Sequence, residues 1–114
     1  PQYMPLPESS VRLYTAEEKA AAVKQFVQLF KESVEVANSI TDRASADAAA
    51  LKIDNIGQKA EQIPVDRTQI SEMDILEEME RNNIDMFIMQ KHIERIRETN
   101  FYGSEALKRA MMNN

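Results

Sequence analysis

The sequence predicts an all-α protein, an antiparallel bundle of three main helices plus a short C-terminal helix. Three observations carry that prediction. Backbone breakers are scarce, with two glycines and four prolines in 114 residues, and the abundant Ala, Glu, Gln, Lys and Met lose little freedom in a helix. Apolar residues recur every three or four positions over long stretches. Capping residues stand where those stretches begin. A chain of this length fits one domain that buries roughly 60 to 70% of its unfolded surface. Residues 15–114 are therefore expected to form a single bundle behind an N-terminal leader, residues 1–14.

The leader holds three of the four prolines within its first seven residues. Proline fixes φ and disfavours helix in the residue before it, so the chain is expected to start extended. Tyr3, Met4, Leu6, Val11, Leu13 and Tyr14 give the leader apolar groups that can pack along the bundle. Thr15 and Glu18 then make a capping-box pair. From there Ala16, Ala20, Val23, Val27, Phe30, Val34 and Ala37 keep helical spacing. Phe26, Leu29, Val36 and Ile40 widen that stripe beyond the seam of a two-stranded coiled coil.

Asn-Ser-Ile-Thr-Asp at 38–42 favours a turn, because these side chains compete for backbone hydrogen bonds. Asp42 or Ser45 is the expected N-cap of a second helix, Arg43 to Gln62, which Pro64 stops. Its opening alanines, Ala44, Ala46, Ala48, Ala49 and Ala50, admit a neighbour towards the short end of the roughly 8 to 10 Å interaxial range. Val34, Val36 and Ile40 are placed to fill that space across the hairpin. Gly57 costs roughly 1 kcal/mol relative to alanine inside a helix, which suits close packing or a bend.

A third helix is expected from Ser71 to Thr99, with Thr68 or Ser71 as its cap and a length of about 43 Å. Arg81, Asn82 and Asn83 interrupt its apolar pattern, but no proline accompanies them, which favours one kinked helix over two. Its acidic start and its late Arg95 and Arg97 match the helix macrodipole. Asn-Phe-Tyr-Gly at 100–103 marks a stop. Ser104 and Glu105 open a last short helix to about Met111, and Phe101, Tyr102, Leu107, Ala110 and Met111 are placed to close the open end of the bundle.

Fourteen Lys and Arg against nineteen Asp and Glu leave a net charge of −5. Such a field repels phosphate backbones, so no nucleic-acid partner is expected. No apolar run reaches the roughly 18 to 20 residues of a membrane span. Cysteine is absent, which removes disulfides and thiolate metal sites. A proline in place of an initiator Met at position 1 implies either a processed precursor or an artificially shortened chain, and removal of an export signal is one route to it.

Chemistry-bearing patterns are few. His92 is the only histidine, and the residue three before it is Met89 rather than the glutamate of a di-metal bundle. There is no Gly-x-Ser-x-Gly elbow and no glycine-rich phosphate loop. The abundant carboxylates read as solvated helix-surface acids, with no pocket to raise a pKa. No catalytic residue, cofactor or metal is assigned, and no enzyme activity is expected. Met73, Met79, Met86 and Met89 fall at helical intervals and suit core filling; exposed, they would instead make an adaptable protein-binding surface. Residues 64–80 contain one Arg against two Asp and four Glu, an excess equal to the net charge of the whole chain. Glu72, Glu77, Glu78 and Glu80 are accordingly the candidate face for a basic partner.

The corner Asp42-Arg-Ala-Ser45-Ala-Asp-Ala-Ala-Ala50 and the late Asn100-Phe-Tyr-Gly103-Ser-Glu-Ala-Leu107 resemble a loose group of small, uncharacterised, exported bacterial helical proteins. In that group a first helix ends in a Thr/Asp-containing turn, a Ser-Ala-x-x-Ala-Ala run opens the second, and a Gly-Ser-x-x-Leu segment comes near the end. The likeness spans about residues 15–110 and departs at Leu51, where the group often has proline. It implies a helical hairpin core and a cell-envelope location, periplasmic or secreted, and carries no site residues across. The expectation is a non-enzymatic envelope or secreted protein that acts through a protein partner or self-association. The competing expectation is a small-ligand or metal-binding bundle, with a cavity lined by Met79, Met86 and Phe87 near His92.

Overall fold

A computed structural model describes residues 12–113. Among them are five α-helices and no strand: α1 (Ala16–Ser39), α2 (Arg43–Glu61), α3 (Glu72–Arg81), α4 (Ile88–Glu98) and α5 (Glu105–Asn113). A 3-10 turn at Arg67–Gln69 precedes α3, and a second short turn, Asn100–Gly103, joins α4 to α5. Of the expected leader, residues 1–11 lie outside the described residues.

The helix starts follow local capping chemistry. At α1 the Thr15 hydroxyl accepts from the Glu18 amide at 3.0 Å, and the Glu18 carboxylate accepts from the Thr15 amide at 2.9 Å. Asp42 and Ser45 repeat the device at α2, with the carboxylate accepting at 2.8 Å and the hydroxyl at 3.0 Å. Two of the orphan amides at each helix start are satisfied in this way. Only residues 40–42 separate the two helices, so they form a tight hairpin.

The expected single helix from Ser71 to Thr99 is instead two helices, and the bundle of three main helices is corrected accordingly. The break is a left-handed helix terminus. Asn83 adopts φ 55°, its amide donates to Glu80 O at 3.0 Å, and the Ile84 amide reaches back to Met79 O at 2.9 Å. That pair of bonds satisfies the last carbonyls of α3, and Ile84 packs on Met79 as the motif requires. Asn82 strengthens the stop, because its side-chain amide donates to both the Glu78 carbonyl and the Glu78 carboxylate at 2.8 Å. Asparagine competes for backbone groups and tolerates the left-handed region, so no proline is needed.

Helix α1 is the spine. It touches α2, α3 and α4, and α2 in turn carries α5. Burial is divided between two clusters. At the hairpin corner Ala37, Ile40, Ala46, Ala49, Ile96 and Leu107 pack together, with Ile40 and Leu107 fully buried. The space beside the alanines of α2 is thus filled by α4 and α5 as well as by α1. Towards the start of α1, Val23, Val27 and Met79 form a smaller cluster, flanked by Phe30, Ile70, Ile75 and Ile84. No described helix is long and apolar enough to cross a membrane.

The methionines divide. Met79 is buried and Met89 packs on the corner cluster, but Met73 and Met86 are 62% and 49% exposed, so the expectation that all four fill the core is corrected. Helix α3 meets α1 through Ile75 and Met79, one turn apart, which turns Met73 outwards. Met86 lies in the break between α3 and α4, off the face that a continuous helix would have presented.

Ala49 sits fully enclosed in the corner cluster. Ala49→Leu is expected to lower stability by about 1 to 3 kcal/mol through overpacking, and Ala50→Leu, beside it, to do likewise. Urea unfolding measures both; wild-type midpoints would show that the corner has room to spare.

Candidate functional site

The densest polar cluster lies at the hairpin corner. The last turn of α1 contains no basic residue, although its carbonyls need donors and its dipole favours a cation. Arg95 of α4 supplies both. Its guanidinium donates to Ile40 O at 2.7 Å and Ala37 O at 2.9 Å, and a further bond reaches the Tyr102 hydroxyl at 2.5 Å. His92 Nδ1 lies 3.0 Å from the same guanidinium. Because a guanidinium only donates, Nδ1 must accept, which places the histidine proton on Nε2. Arg95 was expected to complement its own helix; it complements the end of another.

Tyr102 reaches Arg95 by way of an unusual backbone. Asn100, Phe101, Tyr102 and Gly103 have φ of 52°, 57°, 54° and 77°, one complete left-handed turn closed by bonds from the Tyr102 amide to Thr99 O and from the Ser104 amide to Phe101 O. Left-handed helix costs L-residues roughly 1 to 2 kcal/mol each. The turn persists because Phe101 and Tyr102 pack against the corner cluster. Ser104 follows as the N-cap of α5, accepting from the Leu107 amide at 3.0 Å and donating to Asp47 at 2.5 Å.

This constellation fastens helices together. Ser104 is buried, and its hydroxyl is committed to Asp47 and the Leu107 amide rather than to a histidine base. Among the described residues, no buried side-chain nitrogen or oxygen lacks a hydrogen-bond partner, and no group of three His, Cys, Asp or Glu side chains is placed to hold a metal. The cavity expected near His92 is not assembled. Met79 lies in the second cluster, Met86 and Phe87 face solvent, and His92 turns to Arg95.

The acidic face is rearranged. Glu72, Glu77 and Glu80 are exposed, whereas Glu78 is only 8% exposed. The Glu78 carboxylate accepts from Arg81 at 2.9 and 3.1 Å and from Asn82; those bonds, Arg81's first, hold its pKa below the ordinary glutamate value. It therefore belongs to the end of α3 rather than to a free acidic surface. Met73, Glu77 and Glu80 follow one stripe of α3 at helical spacing, and Met86 and Phe87, the latter 58% exposed, follow in the segment between α3 and α4.

A second surface escaped sequence reasoning. Phe26, Leu29 and Phe30 were expected within the buried stripe of α1 but are half-buried. With Ile56 and Ala60 of α2, Ile70 just before α3 and Ile75 within it, they line an open apolar groove of about 390 Å³. The Arg67 guanidinium sits over the Phe26 ring, 5.2 Å from its centre.

Comparison with protein-family models, with curated proteins and with solved structures finds no match for this chain.

Two outcomes follow from the corner. Lysine cannot reproduce the forked contacts of Arg95, so Arg95→Lys is expected to cost about 1 to 3 kcal/mol in chemical unfolding; a smaller loss would reduce Arg95 to a surface charge. Burial, and secondarily the Arg95 charge, hold the His92 pKa below the usual value. The unfolded chain therefore takes up that proton first as pH falls. His92 contributes stability that is complete above its unfolded pKa of about 6.5 and is lost as pH falls through the lower folded value. Unfolding curves between pH 7.5 and 5, at about half-unit steps, should show this decline for the wild type and a shallower one for His92→Gln.

Proposed function

We propose that this protein is a non-enzymatic helical module that works by binding a protein partner or by self-association through α3 and the segment that follows it. The observation that carries this reading is the exposure of Met73, Met86 and Phe87, together with that of Glu77 and Glu80, on α3 and the segment that follows it. Methionine side chains are flexible and polarisable, and adapt to a partner's contours. An exposed aromatic ring gains by entering a pocket, and aromatic anchors dominate binding energies at interfaces. The carboxylates around them favour a basic counterpart and raise its encounter rate. A cell-envelope location is part of the proposal and rests on the resemblance of the hairpin corner alone.

The test separates association from folding. Met86→Ser with Phe87→Ser removes the apolar anchors, and Glu77→Lys with Glu80→Lys reverses the charge. Each pair should abolish concentration-dependent association in sedimentation velocity, or recovery of a partner from a native extract, while leaving the unfolding midpoint unchanged. Undiminished association in both variants would remove this face from the mechanism.

A further inference from the structure

We propose that α5 exchanges between two copies of this chain, so that each copy's α5 docks on its partner's α2 and a symmetric, domain-swapped dimer forms. The surface involved is the corner rather than the α3 face, and the proposal does not rest on the function suggested for that face.

The hinge is the first argument. Exchange of an element is favoured where the segment leading to it is short and strained. The segment leading to α5 holds Asn100, Phe101 and Tyr102, three consecutive non-glycine residues, at φ of 52°, 57° and 54°, followed by Gly103 at 77°. Asparagine and glycine tolerate that region. The two aromatic residues adopt it only under the packing of the closed corner. Opening the hinge releases the strain in both copies at once.

The second argument is that a second copy can rebuild what α5 buries. Helix α5 rests chiefly on α2. Leu107 is enclosed among Ala37, Ile40, Ala46, Ala49 and Ile96, and Ser104 bonds Asp47 of α2. None of these partners lies in the hinge, so another copy presents the same pocket and the same carboxylate. Against exchange, Phe101 and Tyr102 leave the corner on opening, and Arg95 gives up its bond to the Tyr102 hydroxyl. Those losses keep the dilute chain closed, and mass action favours the dimer as concentration rises. Undocking α5 requires opening the packed corner, so exchange is slow and the dimer, once formed, persists.

Helical phase supplies the third. On a straight helix running through the hinge, Met89, Leu107 and Ala110 would fall within about 40° of Ile96. The apolar faces of α4 and α5 are thus in register across the turn that separates them. One continuous helix can lay its first half on its own corner and its second half on the partner's.

Gly103 supplies a clean test, because a methyl group placed there meets no atom within 4 Å. Gly103→Ala therefore burdens the closed turn through its backbone alone, and the opened helix escapes that burden. In samples refolded and equilibrated at a series of concentrations, sedimentation velocity should show the dimer's association constant raised roughly thirtyfold, with both hinges contributing. Asn100→Gly, which eases the closed turn, should lower it. A disulfide reads the docking itself, since the chain has no cysteine. Asp47→Cys in one chain and Ser104→Cys in another, refolded together and oxidised, should give a covalent heterodimer joined at those two positions. Both chains also carry Met86→Ser and Phe87→Ser, so the α3 face cannot bring them together. A Gly103→Ala chain that stays wholly monomeric would overturn the proposal. So would mixed chains that form no such linkage while the two cysteines in a single chain bond each other.

Discussion

The fold hangs on one guanidinium. Helix α1 ends in a corner packed by α4 and α5, with Ile40 wholly enclosed, where carbonyls cannot rely on water and each one left without a donor costs about 1 to 3 kcal/mol. Arg95, from a helix more than fifty residues away in sequence, donates to Ile40 O and adds a second bond to Ala37 O, which already accepts from the Ile40 amide. That requirement fixes where α4 must lie. Arg95 also bonds Tyr102, so the connection leaving α4 must turn back at once, which it does by winding left-handed for one turn. The strain of that turn is offset by enclosing Phe101 and Tyr102 at the corner, and its exit aims Ser104 at Asp47. Helix α5 then has one place to go, over the alanines of α2.

Much of this was legible where the deciding chemistry is local. The pairs Thr15 with Glu18 and Asp42 with Ser45 are complete within three residues, so they mark both helix starts and the hairpin corner from sequence alone. Ser104 with Glu105, after the stop at residues 100–103, marks the last helix in the same local way. The break after Arg81 was not legible, because Asn82 and Asn83 register only as weak helix formers. What decides it is the bonding they acquire once the helix stops, to Glu78, Met79 and Glu80. The left-handed turn was concealed differently: its bracketing Asn100 and Gly103 are tolerant of positive φ, but Phe101 and Tyr102 between them are not. Only tertiary packing makes that conformation acceptable.

The surfaces show where periodicity runs out. A repeat of apolar residues tells which face of a helix avoids water, but not which element covers it. The spacing of Phe26, Leu29 and Phe30 predicts a buried stripe, and the structure leaves them half-buried at the floor of a groove between α2 and α3. Glu78 was grouped with Glu72, Glu77 and Glu80 by charge. Yet an arginine three positions on and an asparagine four positions on were themselves a readable sign that its carboxylate was spoken for.

These features divide the molecule into a rigid end and an accommodating one. At the corner four helices converge and the described buried side-chain polar atoms are all satisfied. At the other end α3, like α4 and α5, is shorter than the roughly 12 to 15 residues an isolated helix needs to be stable even marginally, but it has only the smaller of the two clusters to rest on. It depends on Ile75, Met79 and Ile84 resting on α1 and on the left-handed terminus at Asn83. Local opening is least costly where buried contacts are few, and segments that rearrange around partners are drawn from such regions. Both the exposed stripe of Met73, Glu77 and Glu80 and the groove beside Ile70 and Ile75 belong to that end. A partner binding there can adjust α3 against α1 without disturbing the Arg95 corner, because the two clusters share only the α1 spine.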